Sequence, residues 1–379
     1  MKIGVDIRAL MDERYSGVSA YAEQLLKEIL HQDDKNEYYL FYNSFRDLTA
    51  RFSSWESERV KLVGTHFPNK VFNYCLQKIL KRPFLDQIVG GVDIFWSPHF
   101  NFSNFSKDVK NVLTVHDLSF LRTPEFFSWR KNCWHRLLGV ERMIKKADVI
   151  VAISENTKLD LLNISRVPAE KIKVIYSGFD LSKKNISESA GLDFANKHGI
   201  KKNYLLFVGN IEPRKNLDGL IKAYEILREN NLDINSQLVL AGAPGWRNKH
   251  IYKAAKKSKF SDSIVFTGYI NESEKIYLYH NAKVFVFPSF YEGFGFPPLE
   301  AMSYNLPVVA SNTSSVPEVV GDSALLVNPA FPNEIAQALE TILKNEELWK
   351  KYQDAGRERI SIFSWEKTAR EYLQLFNSL

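Results

Sequence analysis

The stretch Phe287–Asn312, FPSFYEGFGFPPLEAMSYNLPVVASN, sets two carboxylates, Glu292 and Glu300, eight residues apart across a glycine and proline turn. The run before it, KVFVF from Lys283 to Phe287, is β-branched and aromatic and reads as a buried strand. Pro298 can open a helix, because a first-turn residue needs no amide proton and proline's fixed φ suits that position. Glu292 is then expected in a strand-to-helix loop and Glu300 in the first helical turn. Between them, Gly293 and Gly295 allow a ligand to approach the backbone closely, and the amides of Phe294, Gly295 and Phe296 can converge on an anion or on sugar oxygens. Taken singly, Glu300 could be an acid suited to the helix dipole and Glu292 a solvated loop residue. The joint pattern points elsewhere, since Phe290, Tyr291, Phe294 and Phe296 give the loop the composition of a pocket wall.

A second constellation is GNIEPRKN, Gly209–Asn216, which follows an apolar run and precedes a helix expected to start near Asn216, a good N-cap residue. Arg214 and Lys215 thereby fall at the positive end of a helix dipole, a poor place for cations unless an anion shares it. A diphosphate would remove the conflict, with Arg214 as a planar fork and Lys215 as a point charge. The bland alternative is a pair of solvated basic loop residues. Gly17, at the opening of another helix, is a second and weaker anion candidate. His116-Asp117, in VLTVHDLSF, closes a strand, where such a pair is either a structural turn or part of a site. No Asp-x-Asp pair occurs, and no His, Cys, Asp and Glu cluster has metal-ligand spacing, so no metal is expected and diphosphate charge falls to Arg, Lys and amides. The phosphate-binding P-loop and the dinucleotide glycine fingerprint are absent, which argues against ATP hydrolysis and hydride transfer.

The elements that must hold these residues come in two series. Apolar runs at residues 2–9, 38–43, 60–65, 94–99, 112–117, 149–154 and 172–178 form the first, and 204–210, 237–243, 264–270, 283–289, 307–312 and 324–328 the second. Helical patterns lie between them, the clearest being Val18, Tyr21, Ala22, Leu25, Leu26 and Ile29 after Gly17. Continuous apolar strands alternating with helices predict parallel sheets covered on both faces, hence two doubly wound α/β domains. Gly17, His99, His116, Ser154, Asn210 and Glu292 all fall just past a strand, where open parallel sheets bind ligands. If the two domains face each other, these residues line one cleft. Residues 1–180 are expected as the first domain and 199–362 as the second, with the polar stretch 181–198 as linker. The segment 363–379 has a helical stripe of Trp365, Ala369, Tyr372, Leu373 and Phe376 but no strand, so it must pack on an existing domain.

At 379 residues, two domains are the natural division, and 45% apolar with 25% charged residues is ordinary globular composition. The N-terminus lacks a signal peptide's apolar block, and no run reaches the roughly eighteen apolar residues needed to span a bilayer. Two cysteines, Cys75 and Cys133, make neither a disulfide framework nor a zinc site, so a reducing cytoplasm is expected. Residues 61–146 carry 14 Lys and Arg against 6 Asp and Glu, more excess charge than the whole chain's +6. That segment is either a scatter of solvated lysines or a surface for anionic lipid or phosphate.

Together, the E-x7-E pattern of Glu292 and Glu300, EPRKNL at Glu212–Leu217, HDL at His116–Leu118 and the N-terminal glycine before a helix resemble glycosyltransferase family 4. These are retaining nucleotide-sugar transferases of the GT-B fold, two Rossmann-like domains facing across a cleft. The phrasing PSFYEGFGFPPLEAM and TVHDLSFLRTPEFF is most similar to the bacterial mannosyltransferase branch that builds lipopolysaccharide O-antigen or related surface polysaccharides. The resemblance implies that Glu300 holds the donor ribose and Glu292 a hydroxyl of the transferred sugar. It also implies that Arg214 and Lys215 hold the diphosphate and that the amides of Phe294, Gly295 and Phe296 contact sugar or phosphate oxygens. Gly17 would let the first domain close on the phosphates, His116 would lie beside the sugar, and the C-terminal helix at 363–379 would return to the first domain. Pro297-Pro298 stands where many members have one proline. The expected reaction is transfer of a hexose, mannose from GDP-mannose, onto a lipid-linked surface glycan, without a metal or a permanently bound cofactor. A UDP-sugar donor, an epimerase or hydrolase of the same architecture, and a non-catalytic lipid or nucleic-acid binder remain as alternatives. The favoured partners are donor and glycan acceptor and not nucleic acid, in the cytoplasm, with a peripheral position on an anionic inner plasma-membrane face left open.

Overall fold

The structure, a computed structural model, describes residues 1–11, 17–45, 52–180, 188–230 and 236–379. Seven strands form the first sheet: β1 (Lys2–Asp6), β2 (Glu37–Asn43), β3 (Val60–Thr65), β4 (Ile94–Ser97), β5 (Lys110–Val115), β6 (Val149–Ala152) and β7 (Ile172–Val174). They are all parallel, in the order β3-β2-β1-β4-β5-β6-β7. Six more form the second: β8 (Tyr204–Val208), β9 (Leu238–Ala241), β10 (Ile264–Gly268), β11 (Ala282–Phe287), β12 (Val308–Ser311) and β13 (Leu325–Val327). Their order is β10-β9-β8-β11-β12-β13, again parallel throughout. The central strands explain this architecture, since β8, YLLFV, and β9, LVLA, are buried at every position and need cover on both faces. Helices supply it: in the same unit the Leu217–Asn230 helix buries Leu220, Ile221, Ala223, Tyr224 and Leu227 on one stripe.

The chain divides into two compact units, the first made of Met1–Arg122, Arg130–Gly178 and Phe363–Leu379, the second of Thr123–Trp129 and Phe179–Ile362. In the first unit the Trp365–Asn377 helix starts at Ser364, whose side chain accepts from the Lys367 amide, and buries Ala369, Tyr372 and Phe376. Tyr372 Oη lies 2.9 Å from Tyr21 Oη and 2.7 Å from Thr114 Oγ1, and Trp96 Nε1 donates to Thr114 Oγ1 at 3.0 Å. This closed polar chain ties the last helix to the first helix and to β4 and β5, because each hydroxyl would otherwise be buried without a partner.

Two expected boundaries change. Residues 188–198, read as linker, form the Glu188–His198 helix of the second unit, and 181–187 lie outside the described residues. Its apolar stripe is narrow, Gly191, Phe194 and Ala195, and a Cβ at Gly191 would overlap the Tyr277 ring. So slim a stripe is hard to separate from a polar linker by pattern alone. Residues 123–129, expected within the first domain, belong to the second unit. There Phe126 stacks on Phe290 at 5.5 Å, Phe127 stacks on Trp246 at 5.4 Å, and Trp246 Nε1 donates to Phe126 O at 2.6 Å.

Candidate active site

In each sheet the strand order reverses direction once, between β1 and β4 in the first and between β8 and β11 in the second. Neighbouring strands there send their following segments to opposite faces, which opens a crevice beyond their carboxyl ends. In the second unit the loop after β8 carries Arg214 and Lys215, and the loop after β11 carries Glu292. The topology therefore unites residues 77 and 78 positions apart in sequence.

Arg214 and Lys215 occupy the short turn Pro213–Lys215, just ahead of the Leu217–Asn230 helix. Lys215 Nζ donates to Glu292 Oε1 at 2.6 Å and lies 5.1 Å from the Phe287 ring centroid. Arg214 Nη1 donates to Glu292 Oε2 at 3.0 Å and to Tyr291 O at 2.8 Å. From the other side, Glu212 Oε1 accepts from Arg214 Nη2 at 3.0 Å and Nε at 3.2 Å. The sequence suggested that these cations need an added anion, yet the fold supplies two of its own. Glu212, Lys215 and Glu292 are only 1%, 8% and 7% exposed, so burial works against every charge in the cluster. Burial raises Glu292, but Arg214 and Lys215 outweigh it and hold this carboxyl below its ordinary value. Burial prevails at Lys215, held below the ordinary ammonium value, and at Glu212, pushed above the ordinary carboxyl value.

Backbone bonds fix the two loops together. Phe290 N donates to Arg214 O at 2.9 Å, Glu292 N to Ser314 Oγ at 2.9 Å, and Ser315 Oγ to the carbonyls of Glu292 and Phe294 at 3.0 and 2.8 Å. Gly295 has φ +116°, a conformation that only glycine adopts readily, and it turns the chain into the Phe296–Ser303 helix. That helix begins two residues earlier than Pro298, with Pro297 and Pro298 both inside a first turn that needs no amide protons. Glu300 consequently sits in the second turn and not the first. At the opening of the helix the amides of Gly295 and Phe296 have no intrahelical acceptor. Glu300 does not join the Arg214 cluster: Oε1 accepts from Lys275 Nζ at 3.0 Å and Oε2 from Tyr279 Oη at 2.9 Å. Burial opposes the Lys275 charge, but Glu300 and Glu272 lift that ammonium above its ordinary value. The helix starts at Leu217 as expected, with Asn216 just ahead of it at φ +56°, its carbonyl accepting from the Leu220 amide at 3.1 Å and its Nδ2 donating to Pro329 O at 2.6 Å.

The first unit holds the remaining candidates. His116 follows β5, packs edge-on to Tyr21 at 4.7 Å, and its Nε2 lies 2.7 Å from Pro98 O. A carbonyl only accepts, so Nε2 carries the proton and Nδ1 is left as the acceptor of the neutral ring. Burial holds this imidazole below its ordinary value. Gly17 is the first residue of its helix, exposed, with open space where a Cβ would stand. At the end of β1, Asp6 is fully buried and accepts from Arg8 Nη2 at 2.6 Å. Glu212, Lys275, Tyr279, Asp6 and Arg8 were not singled out in the sequence. The spacing of Glu212 inside EPRKNL was the one available signal, whereas Lys275 and Tyr279 reach Glu300 only through packing of one helix on another.

Residues 15–183 match the family described as Glycosyltransferase Family 4, and residues 192–359 match Glycosyl transferases group 1. The chain is 29% identical over 378 residues to O-antigen chain mannosyltransferase B of Escherichia coli, covering 96% of each chain. It is 30% identical over 285 residues to the Escherichia coli serotype-specific mannosyltransferase WbdA, which covers 71% of this chain but only 34% of that longer protein. Among solved structures, Anabaena Alr3699/HepE in complex with UDP and glucose superposes over the full length of both chains with a TM-score of 0.71 at 19% identity. That likeness shows the fold, the paired Rossmann-like sheets of the GT-B class.

Proposed function

Because the chain belongs to the family 4 glycosyltransferases, we propose that it transfers mannose from GDP-mannose to a growing lipid-linked surface glycan with retention of configuration. The mannosyltransferase names of its relatives support the sugar and the glycan. The observation that carries the donor assignment is the convergence of Arg214, Lys215 and Glu292 beyond β8 and β11. In this reading the two cations take the diphosphate, aided by the helix N-terminus behind them and by the amides of Phe294, Gly295 and Phe296. Glu300 takes the ribose hydroxyls and Glu292 a hydroxyl of the mannose. Gly17 leaves room for phosphate at the start of its helix, and His116 offers Nδ1 to a sugar hydroxyl.

The bond from the anomeric carbon to the β-phosphate oxygen breaks while the acceptor oxygen bonds to the same face. The acceptor's proton passes to the departing diphosphate. Charge builds on that diphosphate in the transition state, where fixed cations of low exposure act more strongly than they would in water. No metal enters this scheme, and transfer should persist in excess chelator. The second test is a screen of GDP- and UDP-sugars by calorimetry, followed by product analysis on a glycan acceptor. GDP-mannose turnover to an elongated glycan is the expected result. Release of free sugar or an epimer, or selective binding of a UDP-sugar, overturns the assignment.

We also propose that the first unit meets an anionic membrane carrying the lipid-linked acceptor. Val71, Ile79 and Leu80 are 41%, 70% and 63% exposed on and beside the Val71–Leu80 helix, among Lys70, Lys78, Lys81 and Arg82. Apolar and basic side chains side by side suit an anionic lipid surface. Among the described residues, no helix is long and apolar enough to cross a membrane.

A further inference from the structure

The first unit contains a cavity of about 340 Å³ walled by the end of the Val71–Leu80 helix, the loop 102–109, β5 and residues 137–148. Five cations line it, Lys78, Lys81, Lys107, Arg142 and Lys146, against one carboxylate, Asp148. Asp148 is already used, since Oδ2 accepts from the Asn111 amide at 2.9 Å. Lys78 Nζ donates to Leu137 O at 2.7 Å, and none of the five cations has an ion pair among the described residues. Their mutual effect is visible at Lys146, whose ammonium is held below its ordinary value by burial and then by Arg142 and Lys81. Isolated surface lysines are simply solvated, but cations drawn from three chain segments to one rim repel each other until an anion joins them.

The wall adds an independent sign of a missing partner. Ser97 and Asn111 both line the cavity, and their Oγ and Oδ1 are buried with no hydrogen-bond partner among the described residues. Buried polar atoms in native proteins nearly always have one. Phe105, Leu113 and Met143 supply apolar surface beside them. Asn111 lies near the amino end of β5, while His116 follows its carboxyl end. At about 3.3 Å per strand residue the five intervening steps put the two roughly 16 Å apart, so the Asn111 side of the cavity lies away from the strand-end crevice, whereas Ser97, the last residue of β4, stands next to Pro98 and its contact with His116.

We propose that this cavity binds a phosphate ester, with the phosphate at the five-cation rim and the organic part against Phe105, Leu113 and Met143. Such a group can arrive as the headgroup of an anionic lipid or as a soluble ester. Neither the donor reading nor the membrane reading is needed for it.

The test uses the full-length protein with three probes: inorganic phosphate, butyl phosphate, and phosphatidylcholine vesicles with and without phosphatidic acid. Calorimetry and vesicle flotation are run on wild type, on Arg142→Glu with Lys146→Glu, and on Ser97→Val. The thermal melt of each variant serves as the folding control. Saturable binding of butyl phosphate, weakened about ten- to hundredfold by the paired charge reversal with the melting temperature unchanged, is the expected result. Binding confined to phosphatidic acid vesicles, with the same loss in the charge-reversal variant, assigns the site to a lipid headgroup. Inorganic phosphate binding as tightly as butyl phosphate, or probe affinities that the substitutions leave unmoved, overturns the proposal.

Discussion

Replacing Glu292 by glutamine keeps the size of the side chain and removes one charge from between two cations. Glu292 accepts from Lys215 at 2.6 Å and from Arg214 at 3.0 Å, with side-chain exposures of 9%, 10% and 14% respectively. Removing one partner of a pair this buried costs about 3 to 5 kcal/mol, because the other charge stays behind uncompensated. Total stabilities run to about 5 to 15 kcal/mol, so urea melts of Glu292→Gln should show a large loss. Glu300→Gln should lose far less, since Glu300 and Lys275 have side chains 27% and 23% exposed. The sequence alone, which gave Glu300 to the ribose and Glu292 to the sugar, leaves GDP affinity untouched by a change at Glu292. The observed pairing alters that expectation. With their internal anion gone, Arg214 and Lys215 should hold a diphosphate more tightly, and saturating GDP should restore more stability to the variant than it adds to wild type. A tenfold gain in affinity corresponds to about 1.4 kcal/mol of extra protection. Turnover should nevertheless fall about ten- to hundredfold for the lost charged contact to the sugar. GDP protecting the variant no better than wild type would refute the idea that these cations are the diphosphate site.

Glu300→Gln should weaken GDP binding and raise KM for the donor with little change in kcat, and an unchanged GDP affinity by calorimetry would remove Glu300 from the ribose. Burial holds His99 down to about 4 despite the attraction of Asp6, with Arg8 and His116 acting in the same direction as burial. The unfolded chain binds that proton near pH 6.5, so stability should rise with pH between about 4 and 6.5, by at most about 3 kcal/mol from this group. Urea melts across the window should show the slope reduced in His99→Asn, and an identical slope would exclude His99 as its source. Co-sedimentation with anionic liposomes should fall as salt rises, whereas equal binding to neutral and anionic vesicles would count against membrane docking.

Much of the fold was legible because its strands are uninterrupted apolar runs. Each of the thirteen runs contains or overlaps a strand, and the alternation with helices required parallel sheets. The elements misread are those whose signal is weak or depends on distant partners. The helix at 188–198 shows a stripe of small and aromatic residues that only the Tyr277 ring explains. Phe126 and Phe127 fell within the expected first domain, because the rings that stack on them, Phe290 and Trp246, are far away in sequence. In the site, loop position could be read from strand ends, which is why Arg214, Lys215 and Glu292 were found together. Charge pairing could not be read, because the contacts of Glu212 and Glu292 with the same guanidinium depend on side-chain directions that spacing leaves open.

The charge pairing bears on how such a site can exist before its donor arrives. Two cations ahead of a helix N-terminus, with little exposure, would oppose folding if the diphosphate were their only counter-charge. Glu212 and Glu292 offset them in the free protein, and on the proposed function Glu292 must loosen its hold when diphosphate oxygens take its place. Its own oxygens then become available to the sugar hydroxyl at the moment the sugar is delivered. Glu212 keeps the guanidinium from reorienting during that exchange. It grips Arg214 through Nε and Nη2, on the side away from Glu292, and leaves Nη1 as the nitrogen that changes partner. A fork held from behind presents its Nη1 edge without fresh ordering cost, and this is the form of preorganisation that makes a fixed cation effective against developing phosphate charge.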